Sequence, residues 1–264
     1  MLVQRKVNPI KQKIKNGEVV FGTCLYSFCP NIMEIAGYCG LDFCRIDNEH
    51  SWRQDHMIEH VMRAGEIANI LPIPRVDKNN PYLIRKVLEI GGGGFLIPEI
   101  KNEKEVEAII RASKFPPLGE RGYSPLCFSG NYGITDTVEW VKWSNEQILV
   151  GVMIETPEAV ENLDKIMKTD GLDFVYFGAA DFSIKSGLDK PNKNHPTVRG
   201  ALKKTIEVAK ENGKHVMTGV GYPWNEEAEK YIEMGCTMIE IGHDYSVLST
   251  IWKKTMEDVK GKKR

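Results

Sequence analysis

The feature that most constrains this fold is an alternation of short apolar segments with amphipathic segments, repeated eight times along the chain. The apolar segments are rich in β-branched and aromatic residues and are bounded by turn signals, which is typical of buried strands. They are Val19–Ser27, Leu41–Ile46, Leu71–Val76, Phe95–Ile97, Ile148–Ile154, Phe174–Phe177, Val216–Val220 and Thr237–Ile241. Strands that alternate with helices form a parallel sheet. Eight such units in 264 residues predict an α/β fold, a closed (β/α)8 barrel in one domain over residues 1–264, with a doubly wound open sheet as the alternative.

The segments between the strands carry apolar residues at helical spacing. The predicted helices are Pro30–Tyr38, Gln54–Asn69, Asn80–Ile90, Glu103–Ser113, Thr135–Ser144, Pro157–Met167, Thr197–Glu211, Asn225–Met234 and Tyr245–Val259, preceded by a short amphipathic helix within Met1–Gly17. Two segments are unusual. Leu71–Val76 contains two prolines, which are awkward in a central strand. Phe115–Ile134 is a long connection rich in proline and glycine, of the kind that forms functional lids or walls.

Charge and cysteine content exclude several classes of function. The formal net charge of -1 gives no electrostatic basis for binding nucleic acid or an anionic membrane. No apolar run approaches the ~20 residues that span a bilayer. The six cysteines form no Cys-x-x-Cys pair, so we expect reduced thiols in a cytoplasmic protein.

Ionisable residues stand at the carboxyl ends of most predicted strands, which is where barrels of this kind bind ligands. They are His50, Arg75, Glu99, Glu155, Asp181 and the pair His243 and Asp244. Near the end of the second strand, Asp47, Glu49 and His50 place three ionisable groups within four positions. Such a group could supply an acid/base pair or metal ligands, and its histidine titrates near neutral pH.

Further along, Glu155 and Asp181 follow adjacent predicted strands and make a plausible site for Mg²⁺ or Mn²⁺, which prefer oxygen ligands. Arg75 adds a permanent cation for an anionic or enolate oxygen.

Structural alternatives exist for several of these residues. Asp181 would also serve as the N-cap of the following helix. His56 and His60, four apart on a predicted helix, could hold a metal, but their acidic neighbours favour a solvated face. Gly91–Gly94 precedes a strand instead of linking strand to helix, which excludes a phosphate loop.

Five motifs resemble those of the class II, metal-dependent pyruvate aldolases of the HpcH/HpaI aldolase/citrate lyase family, in the same order. They are Leu41–His50, Pro74–Val76, Phe115–Gly122, Ile154–Ala159 and Phe177–Ser183, and they span nearly the whole chain. The resemblance implies a (β/α)8 barrel assembled as a homohexamer, a trimer of dimers, with the final helix packed on a neighbouring subunit. It also implies retro-aldol cleavage of a 4-hydroxy-2-oxo acid to pyruvate and an aldehyde through a metal-bound enolate.

The resemblance assigns the central roles residue by residue. Glu155 and Asp181 would bind Mg²⁺, Mn²⁺ or Co²⁺, and Arg75 would stabilise the enolate oxygen. His50, oriented by Asp47, would act with a metal-bound water as the acid/base relay.

Other implied roles are more peripheral. The pyruvate carboxylate would meet backbone N–H groups in the stretch that contains Gly178, Ala180 and Asp181. Glu89 would reach into the neighbour's site, and Glu49 would support the turn or contact a metal-bound water. Arg121, in the third motif, has no assigned role.

The chain departs from the family pattern at a few positions. Met153 stands where many relatives have Gln, Ala179 where Pro is usual, Glu89 where Asp is usual, and Asn48 where a small or apolar residue is usual. The loss of the Gln leaves substrate choice and water positioning open. The segment Tyr123–Ile134 has no obvious counterpart, and we expect the aldehyde to lie against it.

Two other functions remain as alternatives. The first is a citrate-lyase-like or malyl-CoA-lyase-like activity, which would need a CoA-binding surface for which no basic cluster is convincingly placed. The second is a catalytically weak 2-oxo-acid-binding protein on the same scaffold.

Overall fold

The computed structural model describes residues 6–51, 57–77 and 80–261. Eight parallel strands form a closed barrel in which each strand pairs with the next and the last pairs with the first. The strands are β1 Val20–Leu25, β2 Phe43–Asp47, β3 Leu71–Arg75, β4 Gly94–Ile97, β5 Leu149–Ile154, β6 Phe174–Phe177, β7 His215–Val220 and β8 Met238–His243. This architecture confirms the predicted (β/α)8 barrel.

Helices follow the strands around the outside. They are α1 Pro9–Lys15, α2 Pro30–Tyr38, α3 Met57–Ile67, α4 Pro81–Glu89, α5 Glu103–Ser113, α6 Thr137–Gln147, α7 Pro157–Glu161, α8 Leu163–Met167, α9 Ala179–Lys185, α10 Pro196–Glu211, α11 Trp224–Met234 and α12 Asp244–Gly261. A short 3₁₀ helix, Phe128–Gly133, lies in the long connection between α5 and α6. The predicted start of the helix Gln54–Asn69, with His56, falls outside the described residues, as do Met1–Arg5 and the last three residues of the chain.

Polar side chains explain where two helices differ from their predicted bounds. Helix α6 begins two residues later than predicted because the Asp136 carboxylate accepts the N–H groups of Val138 at 2.9 Å and Glu139 at 3.1 Å, as an N-cap does. The helix predicted after β5 is divided in two at Asn162, whose side-chain amide donates to the carbonyl oxygens of Glu158 and Lys101, both at 3.1 Å. Helix α9, after β6, was expected without defined bounds; Gly178 is its N-cap, and Asp181, the N-cap considered from the sequence, lies instead in its first turn.

The two prolines of β3 are accommodated because the backbone N–H groups that they lack would both point toward the same neighbouring strand. Successive residues of a strand direct their backbone groups to opposite neighbours. Leu71 donates its N–H to Asp42 O, on the β2 side, at 2.9 Å, whereas Pro72 O accepts from Gly93, on the β4 side, at 3.1 Å. The lost N–H groups of Pro72 and Pro74 therefore both face β4, where only one residue pair is in register, against five between β2 and β3.

The barrel interior is apolar toward the amino ends of the strands and charged toward their carboxyl ends, a region called the mouth below. The apolar part contains Val20, Phe43, Ile73, Leu96, Leu149, Met153, Phe174, Met217 and Met238, with Ile10 and Ile14 of α1 packed against it. Arg45, Arg75 and Glu240 each follow one of these residues by two positions on the same strand, Glu155 follows Met153 by two positions directly after β5, and all four are buried. Because side chains two apart face the same way, the charged layer rests directly on the apolar one.

Helix α12 leaves most of its surface uncovered. Among its residues only Asp244 is buried, and its exposed large side chains are Tyr245, Leu248, Ile251, Trp252, Met256 and Val259. A contiguous apolar surface of this kind is typical of a contact with another protein. No described helix has the length and apolar character required to cross a bilayer.

Close packing between β5 and β6 yields a stability prediction. A Cβ atom on Gly151 would lie 2.1 Å from Cζ of the buried Phe174 ring. We expect Gly151→Ala to lower the free energy of unfolding by about 1–3 kcal/mol, as overpacking does, measured by urea denaturation. Gly200, exposed in α10, has no atom within 4 Å of the same position, and Gly200→Ala should raise the free energy by about 0.5–1 kcal/mol. Similar shifts in both variants would contradict this assignment.

Candidate active site at the mouth of the barrel

Two arginines share the carboxylate of Asp47 at the ends of β2 and β3. Arg45 Nη1 donates to Asp47 Oδ2 at 2.9 Å, and Arg75 Nη2 donates to the same oxygen. The other oxygen, Oδ1, accepts the backbone N–H groups of Glu49 at 3.1 Å and His50 at 3.0 Å. Asp47 is fully buried. It therefore ties both guanidinium groups to the turn that follows β2.

Electrostatics keep this group of residues ionised. Burial acts to raise the pKa of Asp47, but the guanidinium groups of Arg75 and Arg45 outweigh it and hold that pKa well below its usual range. Burial and Arg45 act to lower the pKa of Arg75, whereas Asp47 and Glu49 prevail and raise it. The Asp47 contacts are thus fixed charge–charge contacts at neutral pH.

Below Asp47 lies a second buried ion pair, formed by Arg45 and Glu240. Arg45 Nε donates to Glu240 Oε2 at 2.6 Å and Nη2 donates to Oε1 at 2.9 Å, the bidentate geometry that makes such pairs strong. Tyr176 donates its hydroxyl to Glu240 Oε1 at 3.4 Å, and its ring centroid lies 5.5 Å from Arg45 Cζ. The sequence interpretation did not select Arg45 or Glu240. Each could have been recognised in the sequence as a charged residue at an inward-facing position of an otherwise apolar strand.

Glu49 and His50 lie in the turn after β2, Glu49 facing Arg75 and His50 facing solvent. Glu49 Oε2 lies 2.8 Å from Arg75 Nη1. Burial raises the pKa of Glu49, although Arg75 and His50 oppose the shift. The His50 side chain is 58% exposed, and its Nε2 lies 3.8 Å from Glu49 Oε2. Asp47 contacts the backbone N–H of His50, so it positions the chain segment that carries the imidazole.

The Glu155 carboxylate is buried at the end of β5. Its Oε1 accepts the backbone N–H of Glu99 at 2.7 Å. Burial raises the pKa of Glu155; the Glu99 N–H and Lys185 oppose this, whereas the neighbouring carboxylates of Asp181 and Glu49 add to it. Asp181, in the first turn of α9, and Glu49 are therefore electrostatic neighbours of Glu155.

Gly178 and Met153 shape the space around Glu155. Gly178 precedes α9, and a Cβ atom there would lie 2.8 Å from Glu155 Oε2 and 3.3 Å from Met153 Cε. Met153 is buried, and its Sδ accepts from Arg75 Nη1 at 3.7 Å. Met153 thus lies between the acidic side of the mouth and Arg75. Ala180 is exposed in the first turn of α9.

A lysine supplies the cation on the acidic side. Lys185 Nζ lies 3.0 Å from Glu99 Oε1 and 4.0 Å from Glu155 Oε1. Glu99 has a φ of 56°, in the left-handed region that is uncommon for residues with a side chain. Such conformations cluster at functional sites. Here the conformation accompanies the hydrogen bond from the Glu99 N–H to Glu155.

The mouth and the layer beneath it hold more carboxylates than cations. The carboxylates are Asp47, Glu49, Glu99, Glu155, Asp181 and Glu240, and the cations are Arg45, Arg75 and Lys185. The described residues contain no group of three or more His, Cys, Asp or Glu side chains suited to an ion. Mg²⁺ is commonly held by one or two carboxylates, with water and substrate completing the set. Glu155 and Asp181 fit a divalent cation of this type.

Glu89 and Arg121 lie away from the mouth of their own chain. Glu89 ends α4, which runs back toward the amino ends of the strands, and its Oε1 lies 3.9 Å from Arg85 Nε. Arg121 is buried, donates to Ser144 Oγ at 2.9 Å and lies 4.6 Å from the Phe115 ring centroid. Burial lowers the pKa of Arg121 to about 10, although Glu89 opposes the shift. Within one chain, Arg121 joins the connection after α5 to α6, whereas Glu89 pairs with a residue of its own helix.

The long connection between α5 and α6 also lies outside the barrel. Its Phe128 ring would be 2.8 Å from a Cβ atom on Gly91, in the turn that precedes β4, and it lies 5.7 Å from Arg63 Cζ of α3. That turn is at the amino end of the barrel. We expected the aldehyde to lie against the segment Tyr123–Ile134. In a single chain, however, this segment does not line the mouth.

His243 and Asp244 connect the end of β8 to the end of β1. Asp244 is buried and accepts the N–H groups of Tyr26 at 3.1 Å and Ser27 at 2.9 Å. The His243 and Tyr26 rings pack edge to face with centroids 5.0 Å apart. Asp244 is a structural link, and the two rings form the wall of the mouth on this side. His60, the other histidine considered for a metal, is exposed on α3.

Comparisons with known proteins identify the family. Residues 21–250 match the family model HpcH/HpaI aldolase/citrate lyase. A 5-keto-4-deoxy-D-glucarate aldolase from Enterobacter sp. (strain 638) is 30% identical over 96% of this chain and 97% of its own. The HpcH/HpaI aldolase from Desulfitobacterium hafniense DCB-2 has a TM-score of 0.90 at 27% identity, over 97% of both chains. The citrate synthase SbnG has a TM-score of 0.86 at 29% identity, over 96% of this chain and 97% of its own.

The chain belongs to the HpcH/HpaI aldolase/citrate lyase family. This confirms the family predicted from the five motifs and, with the aldolases among the relatives, the predicted enzyme class of carbon–carbon lyase.

The shared carboxylate gives a pH-dependent stability prediction. Asp47→Asn leaves two buried guanidinium groups without their common anion, and we expect it to lower the free energy of unfolding by about 3 kcal/mol at pH 7. Because the pKa of Asp47 is lowered in the folded state, its contribution is present above the unfolded value of about 3.9 and is lost as the pH falls below it. Urea denaturation of both proteins between pH 7 and pH 3 measures the difference.

The control for this measurement is Asp170→Asn, which changes an exposed carboxylate and should alter the free energy by less than about 0.5 kcal/mol. A difference between wild type and Asp47→Asn that stays constant down to pH 3 would count against the ionised Asp47 network.

Proposed function

We propose that the protein is a class II aldolase that cleaves a 4-hydroxy-2-oxo acid to pyruvate and an aldehyde, with Mg²⁺, Mn²⁺ or Co²⁺ at Glu155 and Asp181. The observation that carries this proposal is the convergence at one mouth of the buried Glu155, the half-buried Asp181 beside it, and an arginine held by Asp47. The substrate in the name of the Enterobacter relative supports it, because 5-keto-4-deoxyglucarate, numbered from its other carboxyl group, is a 2-oxo-4-hydroxy acid.

The metal would supply Lewis-acid chemistry to the keto and carboxylate oxygens of the oxo acid. Glu155 and Asp181 would hold it, and their mutual repulsion, which contributes to the raised pKa of Glu155, favours a cation between them. Gly178 leaves the Glu155 carboxylate unobstructed, because any side chain there would meet Glu155 Oε2.

Arg75 would stabilise the negative charge that develops on the keto oxygen as the carbon–carbon bond breaks. Its Nη2 is bound to Asp47 and its Nη1 lies beside Glu49, while Nε has no hydrogen-bond partner among the described residues. A permanently charged donor that is already oriented stabilises a developing charge without reorganisation. Backbone N–H groups of Ala180 and Asp181, in the first turn of α9, would receive the pyruvate carboxylate.

His50 would handle the proton. Its imidazole extends into solvent at the mouth, where it would remove the proton from the 4-hydroxyl group as the C3–C4 bond breaks and the aldehyde leaves. The electron pair of that bond passes to the pyruvate enolate, which regains a proton at C3 to give pyruvate. Asp47 holds the His50 segment through its backbone N–H, so one carboxylate would set the positions of both Arg75 and His50.

We also propose that the active assembly is a homohexamer in which Glu89 serves a neighbouring mouth. Within its own chain Glu89 ends α4, away from the mouth. The uncovered apolar side chains of α12 support packing of this helix on a second copy. Light scattering on the full chain tests the assembly, and a monomer at assay concentration would exclude it.

The alternative functions make different predictions in the same assay. A citrate-type carbon–carbon lyase or synthase, for which the similarity to citrate synthase SbnG is the supporting observation, would act on citrate-like acids and release no pyruvate from 4-hydroxy-2-oxo acids. A catalytically weak binding protein would bind pyruvate or oxalate without turnover.

The decisive measurement is pyruvate release from a panel of 4-hydroxy-2-oxo acids with Mg²⁺, Mn²⁺ or Co²⁺ added. We expect turnover that is lost on chelation and falls by about 10²–10³-fold in Glu155→Gln, which weakens the metal site. Glu158→Gln, which changes an exposed carboxylate three residues away, should retain wild-type turnover. Turnover that survives both chelation and Glu155→Gln would overturn the metal-dependent mechanism.

The same assay tests the proton-transfer role. His50→Asn removes the base and should lower kcat by about 10²–10⁴-fold with a smaller change in KM. His195→Asn, which changes the residue that caps α10, serves as the matched histidine control. An unchanged kcat in His50→Asn would assign proton transfer to another group.

A further inference from the structure

We infer that Arg45 and Glu240 are positioning residues for Arg75 and that they act through Asp47. The inference rests on the proposed function, in which Arg75 meets the reacting oxo acid. Four buried side chains form a continuous line: Glu240 binds Arg45, Arg45 binds Asp47, and Asp47 binds Arg75. The line runs from the interior of β8 to the mouth at β3 and contains alternating charges.

The burial of this line argues for a role beyond stability. Each of its four side chains is at most 6% exposed. Buried ion pairs pay a large desolvation cost, and well-packed apolar residues at the same positions are often as stable or more so. Directly below, the positions two residues earlier on the same strands hold Phe43 and Met238. An apolar layer could therefore continue upward, but the chain places an arginine and a glutamate there.

The geometry shows what the pair does to Asp47. Arg45 and Arg75 donate to the same oxygen, Oδ2. Arg45 cannot swing away, because Glu240 holds it through Nε and Nη2 and the Tyr176 ring lies beside it. Arg45 is thus a fixed donor that holds Asp47 Oδ2 in place. Because Arg75 donates to the same oxygen, the orientation of its guanidinium group is fixed as well.

Tyr176 and Gly219 complete the support of the pair. A Cβ atom on Gly219 would lie 2.8 Å from Tyr176 Oη and 3.7 Å from Glu240 Oε1. The absence of a side chain at this position lets the Tyr176 hydroxyl reach Glu240. The glutamate is therefore constrained from two sides, by a guanidinium and by a hydroxyl.

The expected consequence for catalysis is selective. Arg75 would stabilise the negative charge on the keto oxygen, which is larger in the transition state than in the bound substrate. A loss of its orientation therefore lowers kcat more than it raises KM. A displacement of about 1 Å is enough to cost about 10²-fold in rate. A purely structural pair would instead change the amount of folded protein and leave the kinetic constants of the folded fraction unchanged.

The test replaces the pair as a unit, with Arg45→Met and Glu240→Leu combined, so that no unpaired charge is left buried. We expect a folded protein, a kcat lowered by about 10–100-fold, and a KM within about threefold of wild type. Calorimetric titration with oxalate, a planar dianion resembling the enolate, in the presence of Mn²⁺ should show weaker binding. Wild-type kcat and wild-type oxalate affinity in the folded double variant would overturn the inference.

Two further variants keep the test decisive. Arg45→Lys retains the charge but loses the bidentate fork, and it should lower kcat by a smaller factor; if the double variant does not fold, an unchanged kcat in Arg45→Lys overturns the inference. The control is Lys203→Met combined with Glu207→Leu, which removes an exposed ion pair of 3.7 Å on α10 and should leave kcat unchanged.

Oxalate binding separates this inference from the proposed function. If the wild type releases no pyruvate from any acid in the panel but the double variant binds oxalate more weakly than the wild type, the proposed reaction fails and the positioning role stands. If the wild type releases pyruvate and the double variant equals it in kcat and in oxalate affinity, the reaction stands and the positioning role fails.

Discussion

Asp47 accepts hydrogen bonds from two guanidinium groups and two backbone amides, and the arrangement of the mouth depends on that one buried carboxylate. Its charge pairs with Arg45 and Arg75, which otherwise would repel each other in a site with little water to screen them. Its second oxygen holds the turn that carries Glu49 and His50. One side chain thus orients the cation and the histidine of the proposed reaction, although they come from different segments of the chain.

The barrel supplies a rigid base for this polar arrangement. Its amino-end layers are apolar and closed below by α1, while the charged layer begins one inward position higher on several strands. Close-packed apolar layers have low compressibility, so side chains that rest on them keep their relative positions. The cost of burying charge is offset locally, because each arginine in the layer meets at least one carboxylate.

On the side of β5 and α9, carboxylates outnumber cations and make this part of the mouth negatively charged. Glu155 has a raised pKa because it is buried and lies near Asp181 and Glu49. Lys185 offsets part of this unfavourable electrostatic energy, and a bound cation would offset more of it. Residues outside the mouth complement this picture. Arg121 is buried and serves packing within the chain, whereas Glu89 and the exposed side chains of α12 are the groups that the proposed assembly would bring to a second chain.

The sequence by itself determined the barrel and the strand ends that carry charge, because strand and helix periodicity and the position of a residue after a strand are local properties. It therefore placed Arg75, Glu155 and Asp181 at one mouth. Only the tertiary structure decided that Arg45 pairs with Glu240, 195 positions away, that Asp47 binds two arginines, and that Glu89 and Arg121 lie outside their own mouth. Those contacts depend on barrel closure and on helix direction, which bring together residues that no local pattern relates.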